Sequence, residues 1–252
     1  MLLTNLLGAD QCLFAQDDSS YTYQISYGML LNFNGYQVYR AELYTGDSGS
    51  LFFYQIENKS ENNEPIPGGS DADEFQFDIV DTTRFFILSD RVGNRIHQLE
   101  RIPAANALCV VLEPFESIEW IITGQKKVID SFECEEARGS FRGRDYTVWF
   151  TDALPFSFGP WKLHGLPGLI MEAHDATSEV QFVVSAVRII DANSHIPVPT
   201  IHEYPVLDRK TYAEKFKRYI DELERRLMSR FDRSFRVNIN SSLIKSVEIY
   251  DY

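Results

Sequence analysis

Positive charge is scarce in this chain, above all at its start, where the only basic residues before Arg84 are Arg40 and Lys59. With 24 Lys and Arg against 37 Asp and Glu, the net charge is -13 and the isoelectric point lies near 4.8. A nucleic-acid binder replaces phosphate counterions with its own cations, so no nucleic-acid partner is expected. Long apolar runs are lacking too. None approaches the roughly 20 residues that cross a bilayer as a helix, and no transmembrane segment is expected. The chain also has no Gly-x-Ser-x-Gly elbow, no His-Glu-x-x-His pair and no phosphate-binding glycine loop. No Cys-x-x-Cys occurs. Hydrolase chemistry therefore ranks last, and no cofactor is expected.

Material for a core is plentiful. Hydrophobic residues make up 44% of the 252, with 18 Phe and 13 Tyr, so the chain folds, and all-β domains of this length are ordinarily single. Residues 1–15 read as a truncated or atypical export signal, with Leu13-Phe14-Ala15 before Gln16 but without a basic start. Cleavage there would remove Cys12 and leave Cys109 and Cys134, an even pair that suits an oxidising compartment either as a disulfide or as two buried thiols. The mature domain, 16–252, would then lie in the periplasm, at the cell surface or outside the cell.

Alternating segments predict strands at 21–27, 37–44, 50–55, 75–80, 85–89, 96–99, 108–112, 118–123, 146–151, 169–174 and 179–190, with another strand after a turn within 125–134. A mobile loop is expected at 56–74, where Asn, Glu, Ser, Gly and Pro collect. Arg142-Gly143-Arg144-Asp145 predicts a tight hairpin turn that puts Tyr146, Val148 and Phe150 on one face. Gly165-Leu166-Pro167-Gly168 reads as a structural turn of type II, with Pro167 presetting its φ and Gly168 taking the positive φ. One helix stands out at about 211–231, where Tyr212, Phe216, Tyr219, Ile220 and Leu223 recur at three and four. Thr211 with Glu214 forms a capping box, and Asp208 is the competing N-cap.

Three groups of side chains are candidates for function. Trp149, Phe156, Phe158 and Trp161 would either line a concavity for an apolar or peptide ligand or plug the end of the sheet. Arg142 and Arg144, with Arg138, would either receive an anion or neutralise Glu133, Glu135, Glu136 and Asp145 across the strands. His164, Glu172 and His174 flank the turn, and imidazole with carboxylate suits copper or zinc.

The run from Cys134 to about His174 resembles the signature of the GLPGLI family, found mainly in Bacteroidota. The resemblance rests on Phe141-Arg142-Gly143-Arg144-Asp145-Tyr146, Gly159-Pro160-Trp161 and the complete hexapeptide Gly165-Leu166-Pro167-Gly168-Leu169-Ile170. It implies secretion and a β-rich fold, and no established activity. By architectural analogy the expected fold is mainly β (α+β), a curved antiparallel sheet forming a half-barrel like the lipoprotein-carrier folds, with one long C-terminal amphipathic helix. The leading functional expectation is an exported non-enzymatic binding or carrier protein whose partner is small and apolar, a peptide or an envelope component. A copper- or zinc-binding envelope protein is the alternative.

Overall fold

The computed structural model describes residues 21–33, 35–57, 83–103, 105, 107–191, 194, 196, 198–228 and 247–248. The expected export signal, the strand at 75–80 and nearly all of the expected loop at 56–74 lie outside the described residues. So does the end of the expected helix, at 229–231.

Twelve strands make one open sheet. In chain order they are β1 (Tyr23–Asn32), β2 (Tyr36–Thr45), β3 (Gly49–Ile56), β4 (Phe85–Asp90), β5 (Arg95–Arg101), β6 (Leu108–Pro114), β7 (Ile121–Ile129), β8 (Phe132–Phe141), β9 (Arg144–Thr151), β10 (Leu169–Asp175), β11 (Val180–Ile189) and β12 (Val206–Asp208). Helix α1 (Arg209–Met228) follows. The spatial order is β12-β6-β5-β4-β3-β2-β1-β11-β10-β9-β8-β7, antiparallel throughout except for β12, which runs parallel to β6. The mainly β expectation holds, and the sheet is not a closed barrel.

Alternation along the strands sorts the core into layers. The inner face carries Ile25, Tyr27, Met29, Leu43, Phe52, Ile87, Ile96, Val148, Phe150 and Phe182 in one buried cluster. On the outer face of β2 to β6, Leu51, Phe53, Leu88, Leu99 and Val110 are covered by Ile190, Ile196, Ile201 and Tyr204 of the chain between β11 and β12. Helix α1 packs Tyr212 on Cys109 and Val111 of β6. Its N-cap is Asp208 rather than Thr211. The Thr211 backbone N–H donates to Asp208 Oδ1 at 2.9 Å and the Thr211 hydroxyl donates to Oδ2 at 2.5 Å.

The sheet is rolled. Strands β6 and β8 stand near opposite ends of the strand order, yet Glu113 at the end of β6 meets Arg142 at the tip of the β8–β9 hairpin, 2.8 Å apart. The hairpin tip is the tight turn expected: Arg142 and Gly143 have φ of 50° and 78°, both positive as a type I′ turn requires. The two flanks therefore approach at one end through loops, without strand pairing.

Candidate functional site

That end of the roll is plugged by the segment between β9 and β10. Phe158 and His164 pair as an isolated bridge, Leu163 N–H donates to Pro160 O at 3.1 Å, and Gly159 N–H donates to Leu163 O at 2.8 Å. Trp161, at φ 55°, turns this small loop inward. Its ring packs between Phe141 and Tyr146, and Trp161 and Phe158 are each 2% exposed. These two rings fill the core and offer no face to a ligand, the plugging alternative of the two that the sequence left open, and not the ligand-lining one. Phe156, against Tyr23 at 4.3 Å, and Trp149 are partly buried at the margin.

The turn that carries the hexapeptide differs from the expected type II geometry. Gly165 takes positive φ, +95°, and Gly168 does not. A Cβ on Gly168 would overlap the carbonyl of Thr151, so this glycine is required by the close approach of two backbones. Leu166, buried between them, anchors the turn in the core with Leu169 and Ile170, and Pro167 precedes the close approach. Tyr27 donates its hydroxyl to Ile170 O at 2.7 Å.

The metal candidates do not converge. His164 is buried, stacked on Phe115 with ring centroids 4.0 Å apart, and its Nδ1 is 2.8 Å from Lys162 O. Burial pushes its imidazole down, towards the neutral form. Glu172 is paired with Lys127, which lies over the Trp149 ring, and His174 lies on the same half-exposed face. Among the described residues no group of three or more His, Cys, Asp or Glu is placed to hold a metal ion. Cys109 and Cys134 are separate buried thiols on β6 and β8 in different clusters, the second of the two alternatives left open by the sequence. Burial pushes the Cys109 thiol up to about 11, with Glu100 adding to the effect.

The hairpin arginines are neither open anion receptors nor partners of Glu133, Glu135 and Asp145. The Arg142 side chain is 7% exposed and contacts Glu113 at 2.8 Å, Glu116 at 3.2 Å and Glu248 at 3.2 Å. Arg144 is 3% exposed and meets Asp175 at 2.7 Å and Glu179 at 3.0 Å. Arg138 alone meets one of the expected carboxylates, Glu136, at 2.9 Å, but two residues away along the same strand rather than across strands. At the centre lies Lys162, fully buried, paired with Glu113 and 3.0 Å from Glu248. Burial opposes its charge, but Glu248 and Glu113 outweigh that and hold its ammonium above the ordinary range. Lys162, Glu113, Glu248, Asp175 and Glu179 escaped the sequence reading. A lysine between Trp161 and Leu163, in an otherwise apolar stretch, was the one visible sign.

The other end of the roll is different. On the inner face Tyr39, Tyr54 and Phe85 form a half-buried aromatic row across β2, β3 and β4, with centroids 6.1 Å apart for Tyr39 and Tyr54 and 5.4 Å for Tyr54 and Phe85. Beyond it on β5 stands Glu100, whose carboxylate accepts from Gln98 Nε2, and Cys109 faces Glu100 across the strands. Burial raises the Glu100 carboxyl to about 7, while Lys162 pulls it down. Tyr212 of α1 closes this side, donating its hydroxyl to Arg101 O at 3.1 Å.

No curated protein matches the chain. A protein named PNGF-II, solved in space groups P21 and C2, is similar in structure with TM-scores of 0.51 and 0.50 at 18% and 17% identity. The likeness covers 79% of this chain but 34% and 33% of PNGF-II, so the chain spans about a third of that protein, and at this identity it shows the fold alone. A LolA-superfamily protein from Nitrosomonas europaea matches at a TM-score of 0.29 and 11% identity, over 68% of this chain and 87% of the other, too remote to carry an argument. Over residues 141–172, the stretch that supplies Arg142, Arg144 and Lys162, the chain is similar to a family described as a protein of unknown function (Porph_ging), which is associated with Bacteroidota.

Proposed function

We propose that the chain is an exported, non-enzymatic binding or carrier protein that takes an apolar or peptide ligand at the aromatic end of its rolled sheet. One observation carries this reading: the inner face is packed solid at the Trp161 end, whereas at the other end Tyr39, Tyr54 and Phe85 remain half-buried beside Glu100. Aromatic surface with a few polar groups at its edge is the usual chemistry of small-ligand sites. Its position moves the ligand away from Trp161 and Phe158. Export is supported by the Leu13-Phe14-Ala15 segment and by the resemblance of 141–170 to GLPGLI proteins.

Native mass spectrometry of the purified protein, followed by titration with the uncharged fluorophore N-phenyl-1-naphthylamine, tests the reading. Saturable fluorescence enhancement is expected, weakened by about tenfold in a folded Tyr54→Ala, Phe85→Ala variant. Equal binding by wild type and variant, with no copurified ligand, would remove the site.

A further inference from the structure

Helix α1 buries Tyr212 and Ile220 but leaves Tyr219 and Leu223 only half-buried. These two side chains, with Ile102 and Pro103 of the turn after β5, line a groove of about 310 Å³. Its helical residues share one face, because Lys215, Arg218, Tyr219, Glu222, Leu223 and Arg226 recur at three and four. Ile102 packs on the cluster of Cys109, Val111 and Tyr212, so the wall opposite the helix is anchored in the body of the protein.

Charge in the groove is one-sided. Glu222 is the only carboxylate among the lining residues, and both its oxygens are engaged, Oε2 by Arg225 at 3.1 Å and Oε1 by Arg226 at 2.9 Å. Glu214 and Asp221, also on α1, do not line it. Lys215 and Arg218 are exposed, and among the described residues neither forms an ion pair. In a chain of net charge -13, two cations without a carboxylate stand beside four apolar side chains. An anion with an apolar body gains from both: the ammonium and the planar guanidinium suit a carboxylate, and the apolar wall removes hydrocarbon from water. Size favours a small molecule over a second chain, since small-ligand sites begin at about 300 Å³.

We propose that this groove binds a small amphipathic monocarboxylate, a medium-chain alkyl acid whose carboxylate meets Lys215 and Arg218 and whose chain lies against Ile102, Pro103, Tyr219 and Leu223. The groove shares no lining residue with the aromatic row of Tyr39, Tyr54 and Phe85, and it does not depend on the function proposed for that row.

Isothermal titration of the full chain with octanoate, and with octanamide as its uncharged counterpart, is the test. Octanoate is expected to bind saturably, and octanamide at least about tenfold more weakly. Lys215→Gln with Arg218→Gln removes two exposed cations that have no ion pair, so the melting temperature should stay within a few degrees of wild type while octanoate affinity falls at least about tenfold. A folded Tyr54→Ala, Phe85→Ala variant is expected to keep the wild-type affinity for octanoate, which separates this groove from the aromatic row. An absence of saturable octanoate binding, equal affinity for octanoate and octanamide, or unchanged affinity after the Lys215 and Arg218 substitutions overturns the proposal. So does loss of octanoate binding in the Tyr54 and Phe85 variant, which would put the acid in the aromatic row.

Discussion

Glu100 is the side chain at which the interior meets the pH of its surroundings. It stands beside Gln98, Cys109 and the Tyr54 row, and burial raises its carboxyl to about 7, against 4.5 for the free group. Between those pH values the folded protein holds a proton that the unfolded chain has released, so protonation favours the fold. That contribution is fully present below about pH 4.5 and is lost as the pH rises through about 7. Glu100→Gln, which keeps the neutral shape, should therefore be more stable than wild type at pH 8, by on the order of 1–2 kcal/mol after allowance for partial exposure. Near pH 5 the two should be nearly equal. Urea denaturation at both values checks this, and a difference that does not change with pH would mean that Glu100 is ionised in the fold at all values. The buried Lys162 is a contrasting case, because its charge is fixed by partners rather than left to the solvent.

At the scale of elements, the turn before β10 separates two reasons for glycine. Gly165 needs positive φ and has open space around its Cα, with no neighbour nearer than 3.8 Å to an added Cβ. Gly168 has ordinary φ and no space, because Thr151 lies against it. Gly168→Val is expected to cost about 3 kcal/mol or more, since backbone must move, whereas Gly165→Ala should cost about 1 kcal/mol. Thermal denaturation distinguishes them, and equal costs would return the requirement to φ alone. The hexapeptide itself was plain in the sequence. The Arg142-Gly143 hairpin, the strands by their alternation and α1 by its period were legible for the same reason, that their causes are local. The pairing of β12 with β6 was not, because a three-residue strand has no periodicity to display. Nor was the charge network legible: Arg142 looks to Glu135 and Asp145 in sequence but finds Glu113 and Glu248 once the sheet rolls. Whether Trp161 and Phe158 line a surface or plug the sheet was not legible either, since sequence does not distinguish the two, and the structure buries both rings.

For the whole molecule, an open sheet has edges, and the two here are protected differently. Strand β12 is short and leads directly into α1, which packs on β6. Strand β7 is exposed along nearly its full length, with Ile121 at 72% and Val128 at 70%, a combination that invites pairing with another chain. Its defences are the lysines 126 and 127 and the irregular register between Ile122 and Lys126, where Gly124 takes φ +78°. Lys126 is the better position to test, because Lys127 pairs with Glu172 in the body of the sheet, while Lys126 pairs with the exposed Glu133, at 2.6 Å. Gln125→Val with Lys126→Val removes a polar group and the charge from the middle of the edge. The doubly substituted protein should retain its melting temperature to within a few degrees, since exposed pairs contribute little, and should self-associate as concentration rises. Light scattering coupled to size exclusion measures the mass of both proteins at matched concentrations. If the substituted protein keeps the wild-type mass throughout, the twist at Gly124 rather than the lysine charge is what keeps this edge from pairing.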